Sequence, residues 1–595
     1  MGLLAGLVTD LFSGVVGKLS QERTNGASLL GTLVSPFLAL FLTNNPLPNG
    51  YPWGTLTDWG TNPYKDWPHT GVIRTYDFTL SRGVIAPDGY QRDVLLVNGA
   101  FPGPLIEANW GDKIIVTVRN NITAPEEGTV VHWHGFLQEG TPWEDGAPGV
   151  TQCPITPGKT FTYEFIASLY GTTWYHAHYS AQYSGGVVGP MVIHGPSKAK
   201  YDIDVGPIML SDWYHKSYND IVKQMLAPNG SPRVVSDNNL INGKMNFDCS
   251  KVAAGDTKPC TNNAGISKFR LKKGKTHRLR LINAGAEGVQ RFTIDGHNLT
   301  VIANDFVPVK PYTTKVVTLG VGQRADVLVT ANVGDSNSAF WMRSNLSGCA
   351  GTPNTPPPAN QPFAVAAVYY DAADTSKAPT SKAWDIPDAV RCTNDDLAVT
   401  EPLFPMPLPA ATFTQTMDIS IFKNASDVTL WKFDGVSMRA NYDSPVLLQA
   451  NQGNFTFPTE WNVRNFYGNS SVRIIVHNNS PASHPMHLHG HNFYVLNEGP
   501  GEWDGTIVRS SNPQRRDVQL VRPNGHLVLQ FDPQPGVWAF HCHVAWHASG
   551  GFFSSFVVKP DDVKRMRIPD TVQQTCRQWR AYTSTNVVDQ IDSGT

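Results

Sequence analysis

Short runs such as LRLINAG, FTIDGHNLTVIA and RADVLVT mix β-branched and other apolar residues with polar ones, which predicts strands. The run Pro535-Gly536-Val537-Trp538-Ala539-Phe540 reads as a turn followed by a continuous apolar stretch, the pattern of a strand buried on both faces. With 52 Gly and 44 Pro to supply turns between short strands, the expected architecture is all-β. A chain of 595 residues is several domains on the usual size prior. The strand-like sequence divides into three stretches, 51–196, 197–395 and 396–595, with a Pro-rich passage at 351–362 read as an irregular loop. Before them, residues 1–50 contain an apolar run from Leu29 to Leu42 after Lys18 and Arg23, shorter than a bilayer span and resembling the core of a secretory signal. It begins late and lacks a clear small-residue cleavage site, so an uncleaved anchor and a misassigned start codon stay open.

Candidate chemistry sits on the strand pattern itself. In His541-Cys542-His543 successive side chains of a pleated strand point to opposite faces, so the two imidazoles share one face and the thiol takes the other. In His484-Pro485-Met486-His487-Leu488-His489-Gly490 the same parity puts His487 and His489 on one face and His484 nearer the other. The pairs His132-Trp133-His134 and His176-Ala177-His178 each present two rings on a single face. Cys542, His484 and His547 then make a His₂Cys set, and a soft thiolate with imidazoles suits copper. Eight imidazoles remain, enough for three further ions, whereas a structural zinc site closes at four ligands. Four coppers changing oxidation state by one would hold the four electrons that turn dioxygen into two waters.

The segments HWHG, HAH, HPMHLHG and HCHVAWH resemble the four copper-binding motifs of the multicopper oxidases, specifically the laccases of filamentous ascomycete fungi. The likeness runs from about Val94 to the C-terminus and includes LLVNGAFPGPLIEANWGD, DGAPGVTQCPITPG, VIANDFVPVKPY and the closing IDSGT. It implies three consecutive cupredoxin-like domains and a one-electron oxidation of phenolic or aromatic donors coupled to four-electron reduction of dioxygen. It further implies four copper ions: type 1 on His484, Cys542 and His547, type 2 on His132 and His487, and a type 3 pair on His134, His176, His178, His489, His541 and His543. The trinuclear cluster would lie between the first and third domains, with the second a spacer and pocket wall. Ten residues after Cys542, the axial position falls on Phe552 where ascomycete laccases more often carry Leu, with Phe553 one residue away. Phe donates no lone pair, so the cupric state loses an axial ligand and the reduction potential rises. Asp145 in Trp143-Glu144-Asp145-Gly146 matches the family aspartate near the trinuclear cluster, and Glu287 matches a pocket carboxylate that accepts the phenolic proton. An ordinary Asp-Gly turn and a solvated loop glutamate are the competing readings of those two carboxylates. The tail Asp592-Ser593-Gly594-Thr595 resembles one that inserts toward the cluster, with Thr in place of an apolar end.

Charge and cysteine content refine this picture. A formal net charge of -2 argues against nucleic acid as a partner. Of seven cysteines, removing Cys542 leaves six, an even number that suits disulfides in an oxidising compartment. Cys249 and Cys260 are close enough to staple one loop, and the family resemblance implies Cys153 with Cys576 and Cys349 with Cys392. Sequons at Asn121, Asn229, Asn298, Asn345, Asn424, Asn454, Asn469 and Asn478 favour a secretory route and a secreted glycoprotein. The expected partners are small phenols and dioxygen, with no stable membrane span and a monomeric state. Among rivals, a cuprous oxidase would want a Met-rich insert, and the 11 Met are scattered. A ferroxidase would want acidic residues around His547, and an electron carrier would not need eight further histidines.

Overall fold

The computed structural model describes residues 61–347, 359–386 and 393–595, together with Leu33, residues 52–54 and Leu56. Apart from Leu33, the apolar run Leu29–Leu42 lies outside the described residues, as do Cys349 and Cys392. The strands form six sheets that fall into three successive pairs along the chain. Two four-stranded sheets lie within residues 73–194, a six- and a five-stranded sheet within 203–369, and another six and five within 413–558.

Where one face of a sheet meets solvent, the sequence alternates. Thr160–Ile166 is exposed and buried at successive positions, and Val472–Asn478 buries every second residue. Gly536–Cys542 is buried at every position, as its unbroken apolar run requires. Buried apolar residues of the first and third sheet pairs merge into one contiguous core that includes Trp133, Trp174, Phe540, Cys542 and Trp546. The second pair has a core of its own around Leu279, Leu281, Phe292 and Val327. The junction of the first and third pairs is therefore buried interior.

Near the C-terminus the helix Asp570–Thr583 starts after Pro569 with Asp570 in its first turn and buries Val572, Thr575, Cys576 and Trp579, one stripe at helical spacing. A disulfide between Cys153 and Cys576 fastens that helix to the first domain, and a second joins Cys249 to Cys260. Cys542 is buried and unbridged. Among the sequons, Asn121, Asn229, Asn298, Asn345 and Asn454 are exposed and Asn424 and Asn469 half-buried. Asn478 corrects the sequence expectation: it is buried, and its amide donates to the carbonyls of Ala482 and Arg522, which leaves no room for a glycan. Among the described residues no helix is long and apolar enough to cross a membrane.

Candidate metal centres

Each histidine segment straddles the end of a strand. His132 and His176 lie in Val131–Trp133 and Gly171–Ala177, while His134 and His178 follow those strands directly. His487 and His541 lie in His484–Leu488 and Gly536–Cys542, with His489 and His543 just beyond. Antiparallel register sets His132 opposite His176 and His487 opposite His541, so each strand pair carries its rings on one common face. The same register sets Cys542 opposite Met486, with the thiol on the other face.

On that other face the Cys542 Sγ lies 3.6 Å from His484 Nδ1 and 3.5 Å from His547 Nδ1, and the two nitrogens are 3.1 Å apart. A point equidistant from these three atoms is about 2 Å from each, close to ordinary metal–nitrogen and metal–sulfur bond lengths. Burial pushes the Cys542 thiol up and the His484 and His547 rings down, so the apoprotein holds all three uncharged. A bound cation reverses that preference for the sulfur and finds both nitrogen lone pairs free. Phe552 is fully buried with its ring centroid 5.1 Å from that of His484, whereas Phe553 stacks on His541 at 5.1 Å. Of the two candidates, Phe552 is thus the one beside the sulfur site. Trp431, which sequence reasoning missed, closes the same side with its ring centroid 4.4 Å from that of His547.

The eight remaining imidazoles are all buried and converge on one another. In five of them the outer nitrogen, Nδ1, is anchored to an oxygen acceptor. Nδ1–H of His132 donates to the Asp145 carbonyl at 2.6 Å, that of His487 to the Asp517 carbonyl at 2.7 Å, and those of His176 and His541 to the carbonyls of the residues that follow them. His489 Nδ1 is 2.8 Å from the Asp145 carboxylate. These bonds fix the tautomer and turn the opposite nitrogens inward as lone pairs. Nε2 of His132, His176 and His487 has no hydrogen-bond partner, and His489 Nε2 faces His541 Nε2 at 3.1 Å. Buried nitrogens left unpaired are costly unless something binds them. Desolvation, reinforced by neighbouring rings, holds the imidazoles neutral, with His176 pushed down to about 3. The donor set fits a cluster of cations that prefer neutral nitrogen ligands.

Two buried carboxylates brace these rings. Asp145 closes the 3₁₀ turn Pro142–Glu144, is fully buried, and has its carboxyl raised well above the usual range by that burial. Its Oδ1 has no hydrogen-bond partner. Asp517, absent from the sequence reading, lies with its Oδ1 3.1 Å from His134 Nε2. His134, His487 and Asp517 also converge, but Arg324 grips both oxygens of Asp517 and His487 donates to its carbonyl, so this trio is an anchor rather than an ion site. The signal available in the sequence was the charged run Arg515-Arg516-Asp517 ahead of apolar Val518 and Leu520.

Glu287 lies elsewhere, in the loop after the strand Thr276–Asn283, with one carboxyl oxygen buried and unpartnered. Burial raises its carboxyl well above the usual range, and the charge of Asp212 adds to this. Asp212 also accepts the backbone N–H groups of Ala286, Glu287 and Gly288, which fixes the loop. The Ala286 carbonyl in turn accepts the N–H of Ala545, two residues before His547. Of the three sulfur-site ligands, His547 is the most accessible, at 7 % against 0 % for His484 and Cys542. The C-terminal tail is buried through Thr595, with Ser593 bonded to the carbonyls of Ala548 and Ser549 and Asp592 to Ser180. Thr595 lines a cavity of about 20 Å³ with His176, His178, His541 and His543, room for about one water.

Multicopper oxidase family models match residues 79–198, 204–373 and 425–562. "Laccase-2" of Botryotinia fuckeliana is 38% identical over 90% of this chain and 90% of its own length. "Oxidoreductase OpS5" of Beauveria bassiana is 39% identical, covering 91% of both chains. The crystal structure of the laccase from Botrytis aclada superposes with a TM-score of 0.82 at 36% identity, over 91% of this chain and 98% of that one. Fet3p, described as a multicopper oxidase that functions in iron import, gives a TM-score of 0.75 at 25% identity over 88% and 98%.

Proposed function

Because this chain belongs to the multicopper oxidase family, as a laccase-type oxidase with four copper ions, we propose that His484, Cys542 and His547 hold the type 1 copper. His132 and His487 then hold type 2, and His134, His176, His178, His489, His541 and His543 the type 3 pair. The observation that carries this reading is that the Cys542 sulfur sits between two nitrogens while its sequence neighbours His541 and His543 face the other histidine rings. Bound copper supplies one-electron redox chemistry, so four ions match the four electrons that dioxygen needs.

The chain's own residues organise the rest. His547, the least buried ligand, offers its ring edge to a small phenolic or aromatic donor, which is thereby kept off the metal. Glu287 accepts the proton that a phenol sheds on losing an electron. The Cys542 carbonyl accepts the Nδ1–H of His541, so one residue's peptide group joins the sulfur site to the cluster. Phe552 offers no lone pair and, with Trp431, keeps the sulfur site dry, both of which favour a high potential. Asp145 holds a proton beside His489 for delivery toward oxygen. A division of the chain at 196 and 395 is supported by the gaps between the strands of successive sheet pairs, and secretion by two disulfides and five exposed sequons.

Two measurements test this reading. Purified protein is expected to contain about four coppers per chain and to consume oxygen on addition of substituted phenols or dihydroxynaphthalenes, with ascorbate and ferrous iron weaker. A single copper per chain overturns the site assignment, and a preference for iron or ascorbate overturns the donor class alone. Glu287→Gln is expected to lower kcat/KM for phenols about 10²-fold while leaving ferrocyanide oxidation unchanged. Only the deprotonated carboxylate accepts a proton, so wild-type phenol oxidation should fall as pH drops through the raised pKa, a limb the Gln variant lacks. Equal loss on both donors would remove Glu287 from proton handling.

A further inference from the structure

Between the strands Val317–Leu319 and Arg324–Thr330 the second domain, which holds none of the eleven assigned ligands, sends the turn 320–324 into the junction of the other two. At Gly322, where φ is +87°, a Cβ would lie 2.8 Å from His543 Cδ2 and 3.1 Å from His134 Cε1. The turn's backbone therefore lies directly against the rings of two ligands that come from different domains, and only a residue without a side chain fits.

Two residues on, Arg324 is fully buried and bonds both oxygens of Asp517, at 2.5 and 2.6 Å. Its Nε also donates to the Thr172 carbonyl in the first domain, and its own N–H to Asp305. Asp305 takes a second guanidinium, that of Arg516, at 3.0 Å through both oxygens. Gly135, which ends the segment His132-Trp133-His134-Gly135, makes the room: a Cβ there would meet Arg324 Nη2 at 2.5 Å and Asp517 Oδ2 at 2.7 Å. Gln323 adds a bond to the Val518 carbonyl at 2.9 Å. His134 Nε2–H thus donates to a carboxylate whose orientation is set from the second domain, and His134 Nδ1 is left facing His543 Nε2 at 3.2 Å.

We propose that the turn 320–324 positions the type 3 ligands: Gly322 walls the rings of His134 and His543, and Arg324 aims Asp517 at His134. The second domain is then part of the copper site although it supplies no ligand. The proposal rests on the ligand assignment above. Groups that hold a ligand's outer nitrogen act on metal retention and geometry rather than on the fold alone, and losing one typically weakens metal binding about 10- to 100-fold.

The test uses Gly322→Ala, Arg324→Lys and, as control, Gly274→Ala, another second-domain glycine at positive φ (+78°) whose Cβ would meet nothing within 4 Å. Each purified protein is assayed for copper content, the blue thiolate absorption, and the electron paramagnetic resonance of its cupric ions. Gly322→Ala is expected to keep the blue absorption and to lose type 3 copper during dialysis against a chelator about 10-fold faster than wild type, or to show new resonance from ions no longer coupled as a pair. Arg324→Lys, which leaves the turn's backbone intact but cannot grip both oxygens, should show the same change and decides the matter if Gly322→Ala is not recovered folded. Gly274→Ala should match wild type. Wild-type copper retention and resonance in Gly322→Ala, or in Arg324→Lys, would overturn the proposal. A wild-type protein with fewer than four coppers would instead overturn the assignment beneath it.

Discussion

Cys542→Ser is expected to abolish the intense blue absorption and reduce donor-driven oxygen uptake to background while about three coppers per chain remain. A serine hydroxyl is nearly isosteric but is neither soft nor readily ionised, so the His484 and His547 nitrogens, 3.1 Å apart, lose the third donor that makes the site suit copper. The other face of the strand should not notice. His541 and His543 point away from the sulfur, and the anchor from His541 Nδ1 goes to the carbonyl of residue 542, which serine keeps. Metal analysis with absorption and resonance spectroscopy checks this. Loss of all four coppers would show that the two centres are not separated by strand parity, and retention of turnover would show that electrons enter elsewhere.

Asp145→Asn is expected to slow turnover about 10²- to 10⁴-fold with every donor, because it removes a proton-holding group rather than a donor contact. The amide can still accept from His489 Nδ1, so ring orientation and copper content should be largely kept. Burial raises the Asp145 carboxyl, so the group holds its proton over a wider pH range than an exposed aspartate and gives it up as pH climbs. Wild-type turnover should therefore decline as pH rises through that value, and the Asn variant should be slow throughout without that decline. Anaerobic bleaching of the blue absorption by a phenol should be as fast in the variant as in wild type. A variant slow in bleaching would place Asp145 in electron entry, and one with normal turnover would leave it an ordinary turn residue.

The two predictions lean on residues that differ in how visible they were. Cys542 and its flanking histidines could be placed from seven consecutive letters, because pleating fixes which side chains share a face. Asp145 stood out through family likeness alone, since an Asp-Gly pair is also common turn chemistry. Arg324, Gly322 and Asp212 carry no local pattern, and the charged run that ends at Asp517 does not say which residue it meets. Arg324 meets Asp517 across 193 residues and Asp212 meets Glu287 across 75, and strand periodicity is silent about such pairings. The tail shows the same limit: it ends on Thr in place of an apolar residue, yet Ser593 and Asp592 seat it through hydrogen bonds that its composition did not announce.

What the sequence by itself determined was the sorting of ligands: alternation along four short strands assigns a sulfur to one face and paired imidazoles to the other, and that geometry is local. The tertiary structure decided which pairs meet, which nitrogen of each ring faces inward, and what braces it. Those outcomes depend on the closure of long loops and on buried carbonyls and carboxylates that must find donors once water is excluded. A domain without a single assigned ligand could therefore come to lie against two of them.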